Sequence, residues 1–229
     1  PIAKQVYQNA ACCVAISPAL KQIFQQNYQV KPIEIIPNPI DSEIFHHQPK
    51  PINKNFTFVQ IGDLIPLKRP LDTLFAFAKM ANRYSNIRLQ FIGSGPFATP
   101  LQKEIQNLKL TDWVELCGQQ KPLAVAKYVH QANALVHTSS VETFGLVLAE
   151  AMCCGRPVVA VKSAGANFII TPESGILIES GVEAVAAGME QIIENYARFN
   201  SQIIAKNAND RFGSEAVIRQ LIMLYERLR

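Results

Sequence analysis

From residue 56 onward, short apolar runs alternate with stretches of helical periodicity. FTFVQI (56–61), IRLQFI (87–92), WVELC (113–117), ALVHT (134–138), PVVAV (157–161) and GILI (175–178) have the length and the β-branched or aromatic content of strands. Helices are predicted between them, near 69–83, 97–109, 121–131, 145–154 and 166–170. On the first of these, Leu74, Phe77, Ala78 and Ala81 fall at helical spacing, which marks a core-facing stripe rather than a cofactor box. Strand and helix in strict alternation predict an α/β fold, a Rossmann-like parallel sheet with helices on both faces.

The two ends break the alternation. Residues 181–199, 202–211 and 214–228 have helical periodicity with no strand between them, and Ser214 is the expected N-cap of the last helix. Near the start, CCVAI (12–16) and EIIP (34–37) read as short strands, and Ser17-Pro18 reads as an N-cap followed by proline at the first helical position. The Pro- and Asn-rich stretch PNPIDSEIFHHQPKPINKN (37–55) has linker composition. The expected organisation is a remnant of one domain at 1–40, a linker at 41–54 and a main domain at 55–229.

Composition narrows the function classes. The chain is 48% hydrophobic and 17% charged, and its 22 basic residues against 18 acidic ones are scattered, so no nucleic-acid partner is expected, whereas an anionic small ligand fits. Five cysteines, as Cys12-Cys13, Cys117 and Cys153-Cys154, lack metal-ligand spacing and sit in apolar stretches, which suits a reducing, cytoplasmic setting. His46-His47 lacks further ligands for a metal, and His130 and His137 read as packed or partly exposed rather than catalytic. No apolar run reaches about 18 residues, so no spanning helix is expected. No signal-peptide pattern is present, and a start at Pro1 without a Met leads us to expect a piece cut from something longer.

The chemistry concentrates in SSVETFGLVLAE (139–150), a loop expected beyond the carboxyl end of the strand ALVHT, where parallel sheets collect ligands. Gly145 lets a ligand approach the backbone, and the free amides at the start of the following helix favour an anion, phosphate above all. Glu142 precedes this helix start and Glu150 follows it by five residues, about 7.5 Å along the axis. Acids that far apart cannot share a proton, but they can grip two ends of one ligand: hydroxyls, negative charge, hydroxyls. Each acid also has an ordinary reading, a solvated loop carboxylate for Glu142 and an ion pair with Arg156 for Glu150. GSGPFA (93–98) imitates a dinucleotide-binding turn, but it falls on an interior strand, and Pro96 stands where the helix would expose amides.

The run Glu142-TFGLVLA-Glu150 followed by AMCCGRPVVA resembles the E-x7-E region of the retaining group 1 (family 4) glycosyltransferases of GT-B fold. IGDLIPLKRPLDTLFAFA (61–78), FIGSGPF (91–97), ANALVHTSS (132–140), AISPAL (15–20) with IIPNPID (35–41), and NDRFGSEAVIRQLIMLYERL (209–228) are similar to other segments of that family in the same order. The resemblance implies a GT-B C-terminal domain that binds a UDP- or GDP-type nucleotide sugar. Glu142 would hold sugar hydroxyls, Thr143, Phe144, Gly145 and Leu146 would hold phosphate or sugar oxygens, Glu150 would hold the ribose, and Lys68, beside Gly62, would balance the diphosphate. The base would lie near Cys117 to Gln119. With no Asp-x-Asp pair, the resemblance implies metal-independent transfer with retention, and no cofactor. A glycan, lipid or small-molecule acceptor would bind mainly to the missing N-terminal domain. The fragment would then bind donor without turning it over, and a cytoplasmic location at the inner membrane surface is compatible with this.

Four positions depart from the family pattern. Asp63 stands where an arginine is usual and Arg69 follows Lys68 where a glycine is common, so Arg69 is the candidate replacement cation. Pro39 replaces a usual glycine, and Phe168 a frequent acid. Asp63 gives weight to an alternative, a catalytically silent nucleotide-sugar-binding or scaffolding domain, and a sugar-nucleotide epimerase of the same fold is a third reading.

Overall fold

A computed structural model of the chain describes residues 2–28, 32–49 and 54–229. The stretch 50–53 of the predicted linker lies outside the described residues. Helix α1 (Ile2–Asn9), which the apolar pattern does not announce, leads into β1 (Cys13–Ala15), α2 (Pro18–Tyr28) and β2 (Ile33–Ile35). β1 and β2 pair in parallel as a separate two-stranded sheet. Tyr7, Phe24 and Tyr28 cluster beside it, with ring centroids 5.0 to 5.7 Å apart.

The main sheet contains β3 (Phe56–Ile61), β4 (Ile87–Ile92), β5 (Val114–Leu116), β6 (Ala134–His137), β7 (Val158–Val161) and β8 (Gly175–Ile178). All neighbours are parallel, in the order β5-β4-β3-β6-β7-β8. β6 and β7 are buried at every position, as strands covered on both faces must be, which is why they read as continuous apolar runs. Between and after the strands lie α3 (Pro70–Ala81), α4 (Ala98–Asn107), α5 (Pro122–Gln131), α6 (Leu146–Cys153), α7 (Ala164–Ile169), α8 (Val182–Glu194), α9 (Ser201–Phe212) and α10 (Ser214–Arg227).

Two cores flank the sheet. Leu74 and Phe77 of α3, Leu101 of α4 and Met189 of α8 pack with Phe58, Phe91 and Val136 on one face. Val129 of α5, Leu148 and Met152 of α6, Ile169 of α7 and Phe212 of α9 pack with Val59, Leu135 and Ala160 on the other. Consequently α3, which leaves β3, and α6, which leaves β6, depart to opposite faces. The strand order also reverses between these two neighbours, and this is the point at which an open α/β sheet leaves a crevice.

The stretch with linker composition is held against the main sheet. Ile40 and Phe45 belong to the core on the α6 face. Ile40 forms a parallel bridge with Gly213, and the Ser214 amide donates to the Ile40 carbonyl at 3.0 Å. This bridge corrects the expected cap of the last helix: extended Gly213 is the N-cap, and Ser214 is already the first helical residue.

Arg156 ties the same stretch to α5. Its side chain is 1% exposed, and its guanidinium donates to the carbonyls of Val129 (3.2 Å), His130 (2.8 Å) and Gln48 (3.2 Å). Two of these acceptors are carbonyls in the last turn of α5, where a cation is stabilised by the helix dipole. Arg156→Met keeps most of the apolar stem and removes all three donations. It is expected to lower the unfolding free energy by at least about 2 kcal/mol in a urea titration, and a loss below about 0.5 kcal/mol would show that the three carbonyls find other donors.

Candidate functional site

A cavity of about 230 Å³ opens where the strand order reverses. Ile61, Gly62 and Lys68 wall it from the loop after β3, and Glu142 to Val147 wall it from the loop and helix start after β6. Ile16 and Asn38 of the N-terminal segment complete the rim. A larger cavity of about 410 Å³ lies at the opposite, amino end of β3, β4 and β5, between Arg88, Trp113 and Gln131. The carboxyl ends of the strands carry the helix starts, so the smaller cavity has the chemistry.

The loop that brings Lys68 to this cavity is clamped from beneath. Pro66–Lys68 form a single 3-10 turn, and Arg69 then adopts a left-handed conformation (φ 47°) ahead of Pro70 at the start of α3. That conformation is unfavourable for a side-chain-bearing residue. Polar side chains from three elements hold it. Thr138 Oγ1 donates to the Lys68 carbonyl at 2.7 Å, Gln60 Nε2 donates to the same carbonyl at 3.1 Å, and Thr73 Oγ1 lies 3.2 Å from Thr138 Oγ1. Gln60 and Thr138 were not singled out in the sequence, although a glutamine inside the apolar strand FTFVQI is a visible anomaly.

On the other side, Gly145 (φ 97°) is the N-cap of α6 and offers no side chain to cap it. A Cβ there would stand 2.9 Å from Leu148 Cδ1 and 3.4 Å from Glu142 Cγ, so glycine keeps both the turn and the neighbouring carboxylate in place. The Glu142 carbonyl accepts from the Gly165 amide at 2.8 Å, which fixes the loop to α7. Phe144 turns inward, 2% exposed, and packs edge-on to Phe212 and against Phe168. Phe168, in the place of the frequent acid, lies under the Arg211 guanidinium at 5.7 Å.

Lys68 and Glu142 meet across the cavity. Lys68 Nζ donates to Glu142 Oε2 at 2.9 Å. His137 Nε2 lies 3.4 Å from the same oxygen. That approach is too poorly aligned for a hydrogen bond, and Nε2 has no hydrogen-bond partner among the described residues. The Glu142 carboxyl is held down to about 2 by the neighbouring His137, then by Lys68, with burial opposing both. The lysine contact, at 2.9 Å against 3.4 Å for the imidazole, is the firmer of the two. Either way Glu142 is ionised at neutral pH and acts only as an acceptor.

The remaining sequence candidates are placed less centrally. Glu150 lies one turn and a half into α6, outside the cavity wall, partly buried and with no hydrogen-bond or ion-pair partner among the described residues. Arg156 does not pair with it, being committed to backbone carbonyls. Asp63 is exposed, and Arg69 is bound to Asp72 at 2.8 Å, so neither reaches the cavity wall. Gly93 of the GSGPFA turn serves packing: a Cβ there would stand 1.9 Å from the Gly62 carbonyl oxygen. His47 bonds Ser201, and His130 bonds the His46 carbonyl, so these histidines fasten the linker.

The family model described as glycosyl transferases group 1 matches residues 41–211. The chain is 31% identical over 172 residues to N-acetyl-alpha-D-glucosaminyl L-malate synthase of Bacillus anthracis, covering 73% of this chain and 44% of that protein. It is 23% identical over 189 residues to the phosphatidylinositol N-acetylglucosaminyltransferase gpi3 subunit of Schizosaccharomyces pombe, covering 82% and 41%. Sucrose-phosphate synthase from Thermosynechococcus elongatus superposes with a TM-score of 0.82 at 25% identity, over 99% of this chain and 60% of that one. The chain thus spans less than half the length of these curated relatives.

Burial pushes the Glu150 carboxyl up to about 7 from an ordinary 4.5. Between those values the folded chain binds more protons than the unfolded one, so this group's contribution is fully present below about pH 4.5 and is lost as pH rises through about 7. The loss is on the order of 3 kcal/mol. Glu142, shifted the other way, loses its contribution only as pH falls towards about 2, outside that window. Glu150→Gln is therefore expected to stabilise the unliganded chain by about 2–3 kcal/mol at pH 8 and by little at pH 4.5. Urea titrations at the two values check this, and a pH-independent difference would mean that the carboxylate is solvated.

Proposed function

Since the chain belongs to the group 1 glycosyl transferases, we propose that it is the donor-binding half of an enzyme that moves a sugar from a UDP- or GDP-type nucleotide sugar to an acceptor. The observation that carries this reading is the uncapped start of α6, open to a cavity at the strand-order reversal with Lys68 and Glu142 in its walls. Backbone amides of Phe144, Gly145 and Leu146 would face the diphosphate, as an anion at a helix start requires. Thr143 would lie beside them, with Gly62 leaving the approach open. Lys68 would exchange its contact with Glu142 for one with a phosphate oxygen. Glu142, ionised and freed, would accept from sugar hydroxyls, and Glu150 would accept from a ribose.

In transfer, negative charge grows on the departing nucleoside diphosphate, and Lys68 with the α6 amides is placed to offset it. Metal-independent transfer is the form of the reaction that these groups suit. We assign no protein nucleophile: the acceptor hydroxyl would attack on the face from which the phosphate leaves, giving retention, and its proton would pass to the leaving phosphate oxygen. The names of the Bacillus anthracis and Schizosaccharomyces pombe relatives both carry an N-acetylglucosaminyl group, so UDP-N-acetylglucosamine is the first donor to try. The acceptor would be a glycan, a lipid or a small molecule held by a further domain. Among the described residues no helix is long and apolar enough to cross a membrane, and a cytoplasmic site of action, with peripheral membrane contact, accords with a nucleotide-sugar substrate.

A second reading, binding without turnover, draws on the pairing of Arg69 with Asp72 and on the exposed Asp63, which together leave Lys68 as the one side-chain cation in the cavity wall among the described residues. Two measurements separate the readings. UDP, GDP or ADP at about 100 times its dissociation constant stabilises a binding chain by about 2.7 kcal/mol, and one of the three is expected to do so in thermal melts. Lys68→Ala is expected to weaken that nucleotide at least tenfold, and Arg69→Ala less than threefold. Absence of any shift with all three nucleotides overturns the donor site. In a chain that includes the acceptor-binding half, Lys68→Ala is expected to lower transfer about 100- to 1000-fold, and nucleotide-sugar binding with no transfer or hydrolysis would favour the silent reading.

A further inference from the structure

β6 ends in His137 and is followed by Thr138, two polar residues that alternation sends to opposite faces. Thr138 joins the clamp beneath Lys68, whereas His137 points to the α6 side and is 2% exposed. Its Nε2 is buried and lacks a hydrogen-bond partner among the described residues. Buried ring nitrogens are seldom left in that state, so the orphan needs an explanation. The nearest acidic oxygen is Glu142 Oε2, 3.4 Å away, and Lys68 Nζ already holds that oxygen at 2.9 Å. Both groups therefore address one carboxylate oxygen from behind, and neither engages Oε1.

This arrangement matters only if Lys68 leaves, and the inference rests on the donor-site reading for that reason. A diphosphate at the start of α6 would draw the lysine away and strip Glu142 of its one well-formed contact. We propose that His137 is a positioning residue for Glu142: its Nε2–H takes over Oε2 as Lys68 turns to the diphosphate, and Oε1 stays directed at the sugar. Closing 3.4 Å to an ordinary charge-assisted distance of about 2.8 Å requires a movement of roughly half an ångström. The imidazole is locked by its burial and cannot follow the lysine, so the carboxylate keeps a fixed anchor through the exchange.

The test separates sugar recognition from nucleotide recognition. Calorimetry on the 229-residue chain gives dissociation constants for UDP against UDP-N-acetylglucosamine and for GDP against GDP-mannose. His137→Leu fills the space without a donor, and His137→Gln restores an N–H at a similar position. The expected result is that His137→Leu shifts the ratio of nucleotide-sugar to nucleotide affinity at least fivefold against the sugar while nucleotide affinity stays within twofold, and that His137→Gln returns the ratio to within twofold of wild type. A ratio unchanged in His137→Leu, or equal weakening of both ligands as a merely structural role would give, overturns the proposal. Should His137→Leu not fold, the wild-type imidazole answers in its place. Its Nε2–H signal, assigned among four histidines by comparison with His137→Gln, is expected to shift downfield and resist exchange when the nucleotide sugar is added. An unmoved signal overturns the role of His137. A wild-type chain that binds neither UDP nor GDP fails at the earlier step and removes the donor site and this role together.

Discussion

Two neighbouring strands, β3 and β6, send their helices to opposite faces of one sheet, and everything at the candidate site depends on that divergence. Had α3 and α6 left on the same face, their first turns would have packed against each other and filled the space above the strand ends. Because they diverge, the loop carrying Lys68 and the loop carrying Glu142 approach over a gap that no helix covers. The backbone amides of an uncapped helix start face into that gap, and a lysine and a glutamate close it for want of anything else. Divergence makes a crevice, and the loop residues decide what kind.

Much of this was legible in the sequence because parallel strands covered on both faces have to be almost wholly apolar. β6 and β7 show it most plainly, and the six runs read as strands all form strands within a residue or so of their predicted ends. The last helix shows the limit. Ser214 has the composition of an N-cap, yet the cap is set by a bridge between Ile40 and Gly213, partners too far apart in the chain for any local signal to reveal. The linker shows the same limit from the other side: its Pro- and Asn-rich composition gives no sign that Ile40 and Phe45 are core residues, or that Arg156 and His130 hold its backbone.

The site divides along the same line. Glu142 and Gly145 could be nominated because each sits just past a strand end or at a helix start, a local property, and Lys68 through the resemblance that its loop carries. His137 could not, since its distance to Glu142 depends on the loop folding back over the strand, and the Gly165 amide on the Glu142 carbonyl fixes that fold from another helix. The clamp of Gln60, Thr73 and Thr138 was hidden for the same reason: three unremarkable polar residues far apart in the chain converge, Gln60 and Thr138 on one carbonyl and Thr73 on Thr138. Arg156 illustrates the opposite error. Its nearness in sequence to Glu150 made it a candidate partner, but α6 ends between them, and the guanidinium turns to α5 instead.

The two acids at the ends of the E-x7-E run are therefore not equivalent. Glu142 has a cation within 2.9 Å and keeps its charge far below neutral pH, so the unliganded cavity is electrostatically settled on that side. Glu150 has burial and no donor, which drives its carboxyl towards the neutral form near physiological pH. A core that only had to be stable would place glutamine or leucine there, and natural proteins accept such local losses mainly where a ligand later makes them good. A ligand that brings hydroxyl donors to Glu150 would return the lost stability on binding, whereas one that brings only phosphate to α6 would not. On the proposed donor-site reading, this unpartnered acid would be met by a hydroxyl-bearing group that arrives with the diphosphate.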